Sequence, residues 1–113
     1  LSIALVALAL AQATPAPQVP PSLLFGFYRM VAFHQRAADL KCEGPDRKAA
    51  DDEFDSIRKR LIARYGKQPF SPPRPGPSGP GDCRAVMMVY QTNLAEYRRL
   101  VDSALAAQPA PGE

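Results

Sequence analysis

The longest apolar repeat in the chain lies between residues 82 and 107. There Val86, Val89, Tyr90, Leu94, Tyr97, Leu100, Val101, Ala104 and Leu105 recur at three- and four-residue steps, which places them on one face of an α-helix. Asp82 stands at the position of an N-cap and Cys83 opens the helix, so the pattern predicts a helix over 83–107 whose apolar face needs a partner. A second helical pattern covers 23–42 after Ser22, a candidate cap. Placed at 100° steps, its residues Leu23, Leu24, Phe27, Met30, Val31, Phe33, His34, Ala37, Ala38 and Leu40 span an arc of about 200°, wide enough to touch two neighbours. Arg29, Gln35, Arg36 and Asp39 fill the other side, and Phe25 among them is the expected exposed aromatic. The third pattern, over 47–65, has a single seam of Ala50, Phe54, Ile57, Leu61 and Tyr65. That seam is only about 80° wide, so this helix belongs at the periphery. Met87 is placed in the core and Met88 at the surface.

Between the first two helices, Glu43-Gly44-Pro45-Asp46 is a break, with Gly44 ending one helix and Asp46 capping the next. Residues 66–81, GKQPFSPPRPGPSGPG, form a proline-rich linker expected to be an extended, mobile spacer. At about 3.1 Å per residue it covers roughly 50 Å, whereas the second helix is about 30 Å long. The linker can therefore carry the chain back to the end where the second helix began. A bond between Cys42 and Cys83 requires this, because bonded cysteines hold their Cα atoms within about 7 Å. The fold predicted is all-α: a small antiparallel three-helix bundle stapled by one disulfide, with proline-rich disordered termini and linker. The first helix is expected to lie between the other two and antiparallel to both.

Residues 1–13 change the reading of the cysteines. LSIALVALALA is an uncharged apolar run, short for a membrane span, and it leads into Ala11-Gln12-Ala13 and then Thr14-Pro15. This is the pattern of a secretory signal peptide cut after Ala13. With no initiator Met and no basic segment ahead of the run, the signal is expected to be truncated at its start. Residues 14–21 follow as a proline-rich leader, 22–107 as the helical domain and 108–113 as a disordered tail. An exported chain meets an oxidising compartment, where two cysteines are most simply a disulfide. The expected location is periplasmic or secreted.

The 113 residues carry a formal charge of +3, with no tryptophan and one histidine. Such a balance is well short of an obligate nucleic-acid binder, and aromatics do not interleave with the bases, so no nucleic acid is expected as partner. The topology gathers Arg29, Arg58, Lys59, Arg60, Arg64, Lys67, Arg98 and Arg99 at the end away from the disulfide, opposed on the helices there by Glu96 and Asp102. Such a patch attracts anions such as lipid head groups, lipopolysaccharide phosphate or an acidic protein face, with membrane contact at most peripheral. Within the second helix the acids Asp51, Asp52, Glu53 and Asp55 precede Arg58, Lys59, Arg60 and Arg64, the order the helix dipole favours. Asp55 and Lys59 are spaced for an i,i+4 pair.

Enzymatic constellations are not found. The acids at 51–55 lack the glycine turn of a calcium loop and splay around a helix; two cysteines and one histidine do not make a zinc site. No metal and no cofactor is expected. His34 has no nucleophile or second histidine patterned with it, and is read as a buried side chain paired with Asn93, which lies level with it on the third helix. The segment Arg74-Pro75-Gly76-Pro77-Ser78-Gly79-Pro80 fits the minimal form of a proline-helix ligand, but glycines occupy the anchor positions and a spacer is the better reading. The function expected is a non-enzymatic periplasmic or secreted interaction or accessory module with an unknown protein partner. The alternative is a binder of anionic surfaces acting through the basic end.

Overall fold

The computed structural model describes residues 18–77 and 79–107; the expected signal segment, residues 14–17 of the leader, Ser78 and the tail 108–113 lie outside them. The described part is all-α: α1 (Pro21–Asp39), α2 (Pro45–Tyr65), a single 3-10 turn (Gln68–Phe70) and α3 (Cys83–Ala107). At one end Cys42 and Cys83 are bonded with their Cα atoms 5.5 Å apart. At the other, the Tyr97 hydroxyl reaches the Leu23 carbonyl. α1 and α3 are therefore antiparallel. Tyr90 meets Asp51 and Asp102 meets Arg60, so α3 runs parallel to α2, as the returning linker requires.

α1 is not the middle helix. α3 packs along both partners, while α1 and α2 meet each other over a shorter stretch. The wide arc of α1 has a different cause: its two edges, Leu24 and Val31 on the side of α2 and Phe33 and Leu40 on the side of α3, are only partly buried against the core. The α2 seam behaves as its spacing predicts, with Ala50, Phe54, Ile57, Leu61 and Tyr65 all buried. α3 contributes Val86, Met87, Tyr90, Leu94, Tyr97 and Val101 to the core. Of its remaining apolar positions Ala104 and Leu105 are partly buried against the core, whereas Val89 and Leu100 are exposed, and so are Phe25 and Met88.

The helix ends are set by backbone chemistry more than by side-chain caps. α1 begins two residues before its expected start, with Pro21 at its first position and the Pro20 carbonyl accepting from the Leu23 and Leu24 amides at 3.0 and 3.2 Å. Ser22 is thus inside the helix and caps nothing. Proline suits that place because its missing N–H would have had no partner there. α1 ends at Asp39, before the expected Cys42, because Lys41 takes the left-handed conformation (φ 56°). Lys41 and Cys42 amides then donate to the Ala38 and Ala37 carbonyls at 3.0 and 2.9 Å, the paired bonds of a Schellman ending. This turn aims Cys42 at α3. Gly44 is the N-cap of α2, not the end of α1, and Asp46 sits within the first turn without a capping bond.

The linker is not a free spacer throughout. Its first part folds into the 3-10 turn, which sets Phe70 in the core with no exposed surface. The Phe70 ring lies edge-on to Phe27 at 5.0 Å between centroids and 6.2 Å from Tyr65. From Ser71 to Asp82 the described residues have no regular structure. The far end is held where Arg36 donates to the Pro80 carbonyl at 3.3 Å.

Candidate functional site: polar node, basic end and open face

Close to the disulfide, one carboxylate joins all three helices. Asp51 Oδ1 lies 3.0 Å from His34 Nδ1 of α1 and accepts a 3.1 Å hydrogen bond from the Tyr90 hydroxyl of α3. Its other oxygen accepts from Arg47 Nε at 2.8 Å, and Arg47 Nη1 donates to the Cys42 carbonyl at 2.9 Å. Burial, then the Asp51 charge and the hydrogen bond to it, raise the Tyr90 pKa well above the usual phenol value. His34 is half-buried and makes no bond to Asn93, whose amide donates to the Val89 carbonyl of its own helix. The expected pair fails because an Asn on a helix flank can reach back one turn to a carbonyl. Around the node, Phe27, Val31, Phe54, Phe70 and Ser71 line a shallow groove. Ser71 Oγ donates to the Lys67 carbonyl at 3.1 Å, so this hydroxyl is engaged by the main chain. The geometry ties helices together, and the sequence hid it because Asp51 reads as one of several acids splayed around the early turns of a helix. The Arg47–Asp51 spacing of four residues was its one visible signal.

At the opposite end most of the expected anion-binding residues already have internal partners. Arg60 pairs with Asp102 at 2.7 Å, Lys59 with Asp55 at 2.9 Å and Arg98 with Glu53 at 3.3 Å. Arg58 donates to the Phe70 carbonyl at 3.4 Å. Arg64 is half-buried and engaged as well. Lys67 and Arg99 are exposed and unpaired among the described residues, and Arg29 is likewise unpaired but lies on another surface. Five of the eight bases are therefore engaged within the chain.

That other surface is the outer side of the α1–α3 groove, away from α2. Phe25, 71% exposed, and Leu100, 39% exposed, flank a shallow cleft that also includes Arg29, Asn93 and Glu96. Toward the disulfide, Phe33, Ala85, Val86 and Val89 line its continuation beside Arg36. The result is an apolar stripe interrupted midway by Arg29, Asn93 and Glu96, with Arg36 beside its end near the disulfide. α2 covers the inner side of the same groove, and among the described residues nothing covers the outer one.

The chain matches no protein-family model, no curated protein and no solved structure. Its own residues therefore carry the functional argument. Among the described residues no group of three or more His, Cys, Asp or Glu is placed to hold a metal ion, and no helix is long and apolar enough to cross a membrane. The open face was partly visible in sequence: Phe25 stood out as an exposed aromatic, but Val89 and Leu100 share the helical period of the buried residues and could not be told from them.

Proposed function

We propose that this chain is an exported, non-enzymatic interaction module that docks a protein partner on the outer face of α1 and α3. The observation that carries this reading is the uncovered stripe headed by Phe25, 71% of whose surface is exposed. Solvent-facing aromatic and aliphatic side chains aligned on rigid helices favour protein contact. Export is supported by the signal-like residues 1–13 together with the Cys42–Cys83 bond, since such bonds persist in oxidising compartments. N-terminal mass analysis of exported protein is expected to find Thr14 first. A chain retaining residues 1–13 in the membrane fraction would replace release with anchoring.

A photo-activatable cross-linking residue placed at Phe25 or at Val89 tests the docking face in the living cell. Adducts are expected from both sites and not from Ser56 or Ala63, which lie on the exposed side of α2. Equal yields from α2, or none from either face, reject the reading.

The alternative, an anionic-surface binder, rests on Lys67 and Arg99, the exposed bases of that end without partners among the described residues. Retention on anionic vesicles at low salt, lost with Lys67→Glu plus Arg99→Glu and screened above about 0.1 M salt, would support it.

A further inference from the structure

We infer that the occupant of the α1–α3 outer face is a second copy of this chain, related by a two-fold axis parallel to the helices. The inference rests on the docking reading above and specifies the partner. Along the face three levels follow one another. Phe25 and Leu100 share the first, Arg29 and Glu96 the second, and Phe33 and Val89 the third. At every level α1 supplies one member and α3 the other.

That arrangement is self-complementary in one orientation. A two-fold axis parallel to the helices lays α1 of the second copy over α3 of the first at unchanged level. Phe25 then meets Leu100 of the second copy, Phe33 meets Val89, and Arg29 meets Glu96, each contact occurring twice. All neighbouring helices among the four are antiparallel, the arrangement of an up-and-down four-helix bundle. With the axis turned perpendicular to the helices, α1 lies on α1 and the Arg29 side chains face each other. Charge therefore selects the first orientation. Arg29 and Glu96 are exposed and have no ion pair among the described residues, so both are available for such a contact.

The size of the face sets the strength. Two helices that run side by side for about 28 Å and lie about 10 Å apart present roughly 600 Å² per copy, or about 1,200 Å² in the pair. This is at the lower edge of specific interfaces, which points to a reversible dimer with a dissociation constant on the order of micromolar.

Sedimentation velocity of the full chain over a concentration series tests the inference, with Arg29→Glu and Glu96→Arg as probes. The wild-type chain is expected to pass from monomer to dimer, and each variant alone to associate at least about tenfold more weakly, because like charges then oppose each other twice. Mixed in equal amounts, the two variants are expected to recover dimer as a heterodimer. Recovery on mixing separates loss of contact from loss of fold, since unfolded chains would not be rescued. Arg29→Asp with Glu96→Lys gives a second swap pair if either first variant fails to fold. A monomer up to about 1 mM, a dimer that both variants leave intact, or variants that mixing does not rescue would each overturn the inference. Cross-links from Phe25 and Val89 to a different protein, with a monomeric chain, would reject the second copy and leave the docking face standing. Absence of any adduct would reject both.

Discussion

The Tyr97 hydroxyl donates a 2.6 Å hydrogen bond to the main-chain carbonyl of Leu23 across the α1–α3 contact, 74 residues away in sequence. The ring reaches that carbonyl by lying over Gly26: a Cβ at Gly26 would fall 2.5 Å from Tyr97 Cε1. Tyr97 is 4% exposed and tethered at its tip, so the ring has little room to yield. Glycine within a helix normally costs up to about 1 kcal/mol relative to alanine. Here close approach outweighs propensity, and Gly26→Ala is expected to destabilise by about 1–3 kcal/mol. Tyr97→Phe, which keeps the ring and leaves the bond unmade, is expected to cost about 1 kcal/mol. Urea denaturation of both variants checks the order.

Alkaline pH acts on two tyrosines in concert. Burial raises the pKa of Tyr97, with a smaller contribution from Tyr65, and burial followed by Asp51 raises that of Tyr90. Both folded values lie above the unfolded value near 10. The unfolded chain therefore loses protons first, and stability present below about pH 10 falls as pH rises above it. A midpoint series from pH 8 to 11.5 is expected to be flat and then to drop with a slope approaching two protons. Tyr90→Phe is expected to halve that slope; an unchanged slope would mean that Tyr90 titrates freely in the folded protein.

Phe70 holds the return segment to the core. Its ring is fully buried among Phe27, Tyr65 and the α2 side chains, and Phe70→Ala is expected to cost about 3–5 kcal/mol. The 3-10 turn should release with it, read as faster proteolysis between residues 66 and 74. Substituting Pro73 with Ala, at an exposed position of the same segment, is the control and is expected to change the urea midpoint little.

What was legible in the sequence was whatever carries a period. The α2 seam is complete because a narrow stripe has one partner and one interpretation. The start of α3 was legible because Asp82 and Cys83 mark it. Phe70 was hidden because a single aromatic among prolines has no repeat, and the prolines dictated the reading of the whole segment as spacer. Periodicity also cannot separate an apolar face that is covered from one that is not, which is why Val89 and Leu100 were assigned inward. The middle position was assigned to α1 from arc width, although half-buried residues on both its edges widen the arc without full burial against either neighbour. The Asp51 node depends on three helices meeting, and distances between helices are not written in any one of them.

The Cys42–Cys83 bond closes a loop of about 42 residues, for which chain entropy gives roughly 4 kcal/mol. A domain of this size has about 5–15 kcal/mol in total. Cys83→Ser is therefore expected to lower the melting temperature by on the order of 20 °C. Helical content by circular dichroism at low temperature should persist, since α3 retains its packing on both partners. An unchanged melting temperature would show that the bundle holds its own register without the bridge.

The position of that bridge also decides which parts of the chain bear load. Leu23 and Tyr97 lie together at the end opposite the cysteines. Tension applied at the two ends of the chain would run up α1, across the bridge and down α3. α2 and the whole return segment hang outside this path as a side loop, and a single cut within 43–82 would leave the two load-bearing helices covalently joined. In single-molecule stretching, the oxidised chain is expected to extend about 140 Å less than the reduced one, the length of the 41-residue separation bypassed by the bridge.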